Sequence, residues 1–135
     1  SNTFYYEKRK WGAIKTGFTH FADGDVAVAK ISPCLENRKS IVLRDLPNGI
    51  GAGTTELHVF RSSVVSPEYA LYFFKSEYFI SRCVGTFNGV VGQQRVGKNI
   101  IEEIQIPIPP INEQTKIVST IETIFTQLNT ITAEL

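Results

Sequence analysis

The chain has 135 residues, is 42% hydrophobic and 20% charged, and carries a formal net charge of +1. That length allows one domain around one core, no apolar run reaches the ~20 residues that span a bilayer, and the near-neutral balance excludes a polybasic surface as the whole basis of nucleic-acid binding. Cys34 and Cys83 lie far apart, and His20 and His58 have no ligand spacing. A disulfide framework and a metal site are therefore not expected, no cofactor is implied, and a reducing, cytoplasmic setting fits best. Ser1-Asn2 reads as the remnant of a cleaved tag, with no signal-peptide pattern behind it.

Residues 4–22 are aromatic and basic without a clear period, with Lys8-Arg9-Lys10 and Lys15 clustered. Asp23-Gly24-Asp25 is a turn signal, and Val26 to Ile31 reads as a buried strand stopped by Ser32-Pro33. A polar loop over 34–39 leads to a second short strand, Ser40 to Arg44. The glycines of Pro47-Asn48-Gly49-Ile50-Gly51-Ala52-Gly53 tempt a phosphate-loop reading. Such a loop needs a helix N-terminus after it, whereas Thr54 to Arg61 alternates and is β-branched, so a strand is predicted there and the glycines serve turns or bulges.

Ser66-Pro67-Glu68 combines an N-cap, a first-turn proline and a first-turn acid, and predicts a helix running to Val84 with a break near Ser76. Residues 85–97 form a glycine-punctuated loop, and Ile100 to Ile108 is expected to be a turn or short helix entering a last strand that Pro107, Pro109 and Pro110 end. Asn112-Glu113-Gln114 is predicted to cap a helix. Within it Ile117, Ile121, Ile124, Leu128, Ile131 and Leu135 recur at alternating spacings of four and three, the a/d seam of a coiled coil. The pattern runs into the last residue, as if the helix were cut there. The predicted division is 1–110 for the domain and 111–135 for the helix.

Taken together these segments resemble one family over nearly the whole chain. Gly17-Phe18-Thr19-His20-Phe21-Ala22-Asp23-Gly24-Asp25-Val26 looks like the entry to the recognition domain of type I restriction–modification specificity subunits. Lys30-Ile31-Ser32-Pro33-Cys34-Leu35-Glu36-Asn37-Arg38-Lys39 is similar to that family's K-I-T-P-C-x-E-N-G-K segment, with Arg38 where glycine is expected. Asn48-Gly49-Ile50-Gly51 through Thr55-Glu56-Leu57-His58-Val59-Phe60-Arg61 resembles its G-S-T-E-F-x-V-L-R strand; Gly92 to Val96 and Ile106 to Gln114 resemble its closing signature. Any one of these is weak, but their joint occurrence in this order is specific. The resemblance implies an α/β (α+β) target-recognition domain with a twisted, mainly antiparallel sheet and short helices, followed by a long helix. It also implies a non-enzymatic role: reading one half of a bipartite target on double-stranded DNA, in a complex with methyltransferase and restriction subunits.

Base edges in the major groove suit particular side chains, Arg and Lys for guanine, Asn and Gln for adenine. The expected DNA-binding residues are therefore Asn37, Arg38 and Lys39 in one loop and Asn88, Gln93, Gln94 and Arg95 in the other, with Lys98 beside them. Lys8, Arg9, Lys10 and Lys15 suit phosphates or plain solvent. Trp11 could stack on a base, although a lone tryptophan is more often core. Ile117, Ile121, Ile124, Leu128 and Ile131 are the expected helix-association residues, through which a homodimer could form. Two alternatives remain: the reading part of a fused DNA methyltransferase, or a helical assembly module without DNA contact. No nucleophile–base arrangement, amino-methylation motif or phosphate loop is found, and the carboxylate pair Glu102-Glu103 points its members apart on either a strand or a helix.

Overall fold

The computed structural model of the chain describes residues 3–87 and 94–134. A short helix α1 (Trp11–Ile14) is followed by strands β1 (Thr19–Ala22), β2 (Val26–Ala29), β3 (Ser40–Val42), β4 (Ile50–Gly53) and β5 (Leu57–Phe60). Helices α2 (Pro67–Phe74), α3 (Glu77–Val84), α4 (Lys98–Glu103) and α5 (Ile111–Glu134) complete the order. The strands form two antiparallel sheets, β1-β4 and β3-β2-β5. This is the mixed α/β architecture with short helices and a long final helix that the family resemblance implies, with the antiparallel strands divided between two sheets rather than one.

All four residues of β2 are buried, as their unbroken apolar run requires of a strand covered on both faces. Val26 and Val28 point into the main core with Leu71, Phe74, Phe79, Ile80 and Cys83 from α2 and α3. Ala27 points the other way, against Leu43, Leu46, Phe21 and Phe4. The period-two alternation thus assigns valines to the helical layer and a small alanine to the layer under the N-terminal segment. On that second side a cleft of 860 Å³ opens between the sheet and residues 4–14.

The helix starts follow their caps. Ser66 Oγ accepts from Tyr69 N at 3.2 Å, and Ser76 Oγ accepts from Phe79 N at 3.2 Å, so the predicted break at Ser76 is a second N-cap. The buried run 26–31 is a strand only to Ala29, after which Ile31 makes a single bridge to Arg95. The second strand stops at Val42 rather than Arg44.

Three expectations are corrected. The glycine segment contributes a strand, β4, and the strand predicted from Thr54 begins only at Leu57 because 54–56 turns. A Cβ on Gly51 would lie 2.6 Å from the Phe21 ring and one on Gly53 would lie 3.2 Å from it, so glycine is needed where an aromatic ring crosses the paired strand. No strand follows α4 among the described residues: Ile104 and Ile106 pack against the helical core, and the prolines beyond them lack ladder donors. Asn112 does not cap α5, which begins at Ile111. Pro110 O accepts from Glu113 N and Gln114 N, and Gln114 turns inward, completely buried.

Candidate nucleic-acid interface

The antiparallel order places the end of β2, the start of β3 and the start of β5 at one end of the sheet. The connections 30–39 and 54–56 lie there as a consequence of strand pairing alone. The segment 94–96 is brought to the same place by the backbone: Ser32 N donates to Gln94 O at 2.8 Å and Val96 N donates to Lys30 O at 2.9 Å. A histidine ring adds a third tie, His58 Nε2 lying 2.9 Å from Val96 O. Two loops more than fifty positions apart in the sequence are thereby held side by side.

The first of these loops is more ordered than its polarity predicts. Leu35 N donates to Ile31 O and Asn37 N to Pro33 O, both at 3.0 Å, so the segment winds in tight turns with Leu35 buried beneath it. Arg38 adopts φ 56°, the left-handed conformation that glycine takes at lower cost. Arg38 thus takes, at the position where the family pattern expects glycine, a backbone conformation that glycine favours. Arg38 Nε donates to Lys75 O at 2.8 Å and Nη2 reaches Glu77 at 3.1 Å, which ties the loop to the α2–α3 junction. Asn37 and Lys39 are exposed. Burial, and secondarily the charge of Lys39, push the Lys75 ammonium below its ordinary value.

In the second loop, Arg95 forms a two-pronged pair with Glu56: Nε lies 2.8 Å from Oε2 and Nη2 lies 2.6 Å from Oε1. The hydrogen bond from Arg95 holds the Glu56 carboxyl below the usual carboxylate range, with Lys30 adding to it. Asn88 and Gln93 lie outside the described residues. Lys98 opens α4 and pairs loosely with Glu102 at 3.5 Å. The structure thus brings Asn37, Lys39, Gln94 and Arg95 to one end of the sheet and gives Arg38 a bracing contact there. Sequence reasoning missed Lys30, Glu56 and Lys75, because their relevance depends on which turns share a sheet end.

Trp11 is 53% exposed and lies 5.2 Å from the His20 ring, on the rim of the 860 Å³ cleft and outside either core cluster. Arg9 pairs with Glu7 at 3.0 Å; Lys8 and Lys10 are exposed.

At the opposite end of β2, Asp25 is buried and accepts from Arg61 at 2.6 and 2.7 Å and from Ala22 N at 2.8 Å. This pair fastens β1, β2 and β5 far from the loops at 30–39 and 94–96. Along α5, Gln114 Oε1 accepts from Ser66 N at 2.8 Å, while Nε2 donates to Val64 O and Pro109 O, both at 2.9 Å. Ile117 and Ile121 line an apolar groove with Tyr69, Tyr72, Phe73 and Ile106. Ile124, Leu128 and Ile131 are about half exposed, so the distal half of the predicted seam leaves the domain uncovered. No helix among the described residues is long and apolar enough to cross a membrane.

The chain is thus a small antiparallel α/β domain that ends in a long helix, with polar loops gathered at one sheet end. Residues 47–135 match the model of the type I restriction modification DNA specificity domain, and the chain belongs to that family. It is 47% identical over 116 residues to the Type I restriction enzyme EcoEI specificity subunit and 46% identical over 115 residues to the EcoAI specificity subunit, both of Escherichia coli. Each match covers 84% of this chain and 20% of the relative, so the chain spans about a fifth of those proteins' length. Among solved structures it superposes on the HsdS subunit from Thermoanaerobacter tengcongensis with a TM-score of 0.67 at 23% identity, over 82% of this chain and 28% of that one. A second solved chain, described in connection with complex assembly and conformational transition of the type I R-M system, gives 0.56 at 17% identity, over 83% of this chain and 25% of that one. Both similarities establish the fold.

Proposed function

We propose that this domain reads one half of a split DNA target for a type I restriction–modification complex. The observation that carries the reading is the backbone tie between Lys30–Ser32 and Gln94–Val96, which sets donors and acceptors from two distant loops on one surface. Asn37, Lys39, Gln94 and Arg95 are the proposed readers there; Asn88 and Gln93, outside the described residues, are proposed readers on their side-chain chemistry alone; Arg38 braces the first loop, and Lys98, Lys30 and Lys75 supply positive charge. The proposed division is 1–110 for the domain and 111–135 for the helix, which fixes its distance from a second reader. The partners are double-stranded DNA and the methyltransferase and restriction subunits; the chain is not itself an enzyme and acts in the cytoplasm. The half-exposed seam at Ile124, Leu128 and Ile131 favours pairing with another helix, in this chain a second copy.

The test is titration of duplexes recovered from a randomised library at two salt concentrations. Alone, the chain should bind in about the micromolar range. Gln94→Ala or Arg95→Ala should cost about 1–3 kcal/mol on the recovered sequence, whereas Arg9→Ala and Lys10→Ala should weaken all sequences alike. Equal losses on recovered and random DNA for both loop variants would remove this surface from the reading role. Salt-independent failure to bind any duplex would favour the assembly-module alternative.

A further inference from the structure

Glu56 is an acid on a surface assigned to DNA, where a carboxylate weakens binding to every sequence by repelling phosphate. Its placement is nevertheless tightly specified. It sits in the turn between β4 and β5, where its carbonyl accepts from Lys30 N at 3.1 Å. Its side chain engages Arg95 through both oxygens, at 2.8 Å for Nε–Oε2 and 2.6 Å for Nη2–Oε1. The backbone of Arg95 is itself fixed by the bridge to Ile31. Both ends of the ion pair are therefore tied through the backbone to the segment that follows β2, Glu56 at Lys30 and Arg95 at Ile31.

A lone arginine beside a polyanion turns to the nearest phosphate, which carries no sequence information. A two-pronged carboxylate contact removes that freedom, because the guanidinium is planar and its donors form a rigid fork. We propose that Glu56 is a positioning residue that holds the Arg95 guanidinium in one orientation, so that it reads a base edge instead of closing on phosphate. The proposal rests on the reading surface assigned above. Glu56 touches no base in this scheme; it trades general affinity for selectivity.

The experiment compares wild type, Glu56→Gln, Arg95→Ala and the double variant in library enrichment, duplex titration against salt, and thermal melting. Glu56→Gln keeps the side-chain volume and removes the charge. Its ratio of recovered to random affinity should fall about tenfold, the size of one lost bidentate base contact. Its affinity for random DNA should rise, and the log–log salt slope should steepen by about one as the released arginine takes a phosphate. In the double variant that steepening should vanish, since there is no arginine to release.

The positioning role is overturned if Glu56→Gln lowers recovered and random affinity together with an unchanged salt slope, the behaviour of a purely structural pair. It is also overturned if the double variant keeps the steeper slope, which would assign the effect to charge removal alone. An Arg95→Ala variant with unaltered base preference would instead sink the reading surface, and failure of the wild type to enrich any sequence would sink DNA reading itself.

Discussion

Replacing Gln114 by alanine removes a side chain that is completely buried and makes three hydrogen bonds, at 2.8, 2.9 and 2.9 Å. Ser66 N, Val64 O and Pro109 O all lose their side-chain partner. At about 1 kcal/mol net per bond the loss is about 3 kcal/mol, and water entering the vacated space would bring it toward 2. For a chain of this size each kcal/mol moves the melting temperature by about 4 °C, so thermal unfolding followed by circular dichroism should shift down by about 10 °C. Gln114→Glu adds a sign to the test. Its acceptor for Ser66 N remains, but a carboxylate would face two carbonyl oxygens, and its folded-state pKa would be raised. That variant should be closest to wild type below the ordinary glutamate value and fall behind it as pH rises through the raised one. Since Gln114 joins the first turn of α5 to the N-cap loop of α2, the loosened variant should also change the direction of the long helix relative to the loops at 30–39 and 94–96. A shift under 2 °C for Gln114→Ala would refute the bookkeeping and show that α5 is held by its apolar groove alone.

Three further outcomes are expected. Ile124→Asp/Leu128→Asp replaces half-exposed seam residues and should convert a self-associating chain into a folded monomer in sedimentation; a wild type that already sediments as a monomer refutes association through this seam. The Arg61 hydrogen bonds outweigh burial and, with Ala22 N, hold the Asp25 carboxyl below its ordinary value of 3.8. A group with a depressed folded-state pKa contributes stability above its unfolded value and loses it as pH falls through the folded one. Melting temperature should therefore drop on acidification below about pH 4, and Asp25→Asn, less stable at neutral pH, should show a shallower drop; parallel profiles would refute the assignment. Burial pushes the Cys83 thiol up to about 11, so native protein at pH 8 should be alkylated at the partly exposed Cys34 while Cys83 reacts only on unfolding. Equal rates in the native state would show that α3 opens.

Local chemistry made several elements legible without coordinates. The uninterrupted Val26–Ala29 run specified a strand buried on both faces, Ser66-Pro67-Glu68 specified a helix start, and the four–three spacing from Ile117 specified a long helix with an apolar stripe. Each depends only on backbone geometry and neighbouring residues. The joint order of motifs also identified the family, because a sequence of weak signals in fixed succession is specific where each alone is not. The role of the glycines was different: Gly51 and Gly53 belong to a strand because Phe21, thirty residues earlier, lies across them, and no local rule carries that information.

The candidate site divides the same way. Asn37, Gln94 and Arg95 were selectable by side-chain chemistry, since base edges demand fixed donor and acceptor types. Arg38 was selectable too, but its bond to Lys75 O and its pair with Glu77 follow from the packing of a loop on a helix junction. Lys30 and Glu56 entered only as members of the family-like segments, with no role legible from sequence, because an acid beside a strand acquires meaning only from the arginine placed opposite. Gln114 likewise read as a cap and became a buried clasp once α5 was docked on α2. The sequence by itself determined the buried strand β2, the starts of α2 and α3 and the long helix α5, together with the chemistry their side chains carry, because those properties are set within a few residues. Tertiary structure alone decided which side chains meet, because antiparallel register and the Ser32–Gln94 tie bring together residues that the chain keeps far apart.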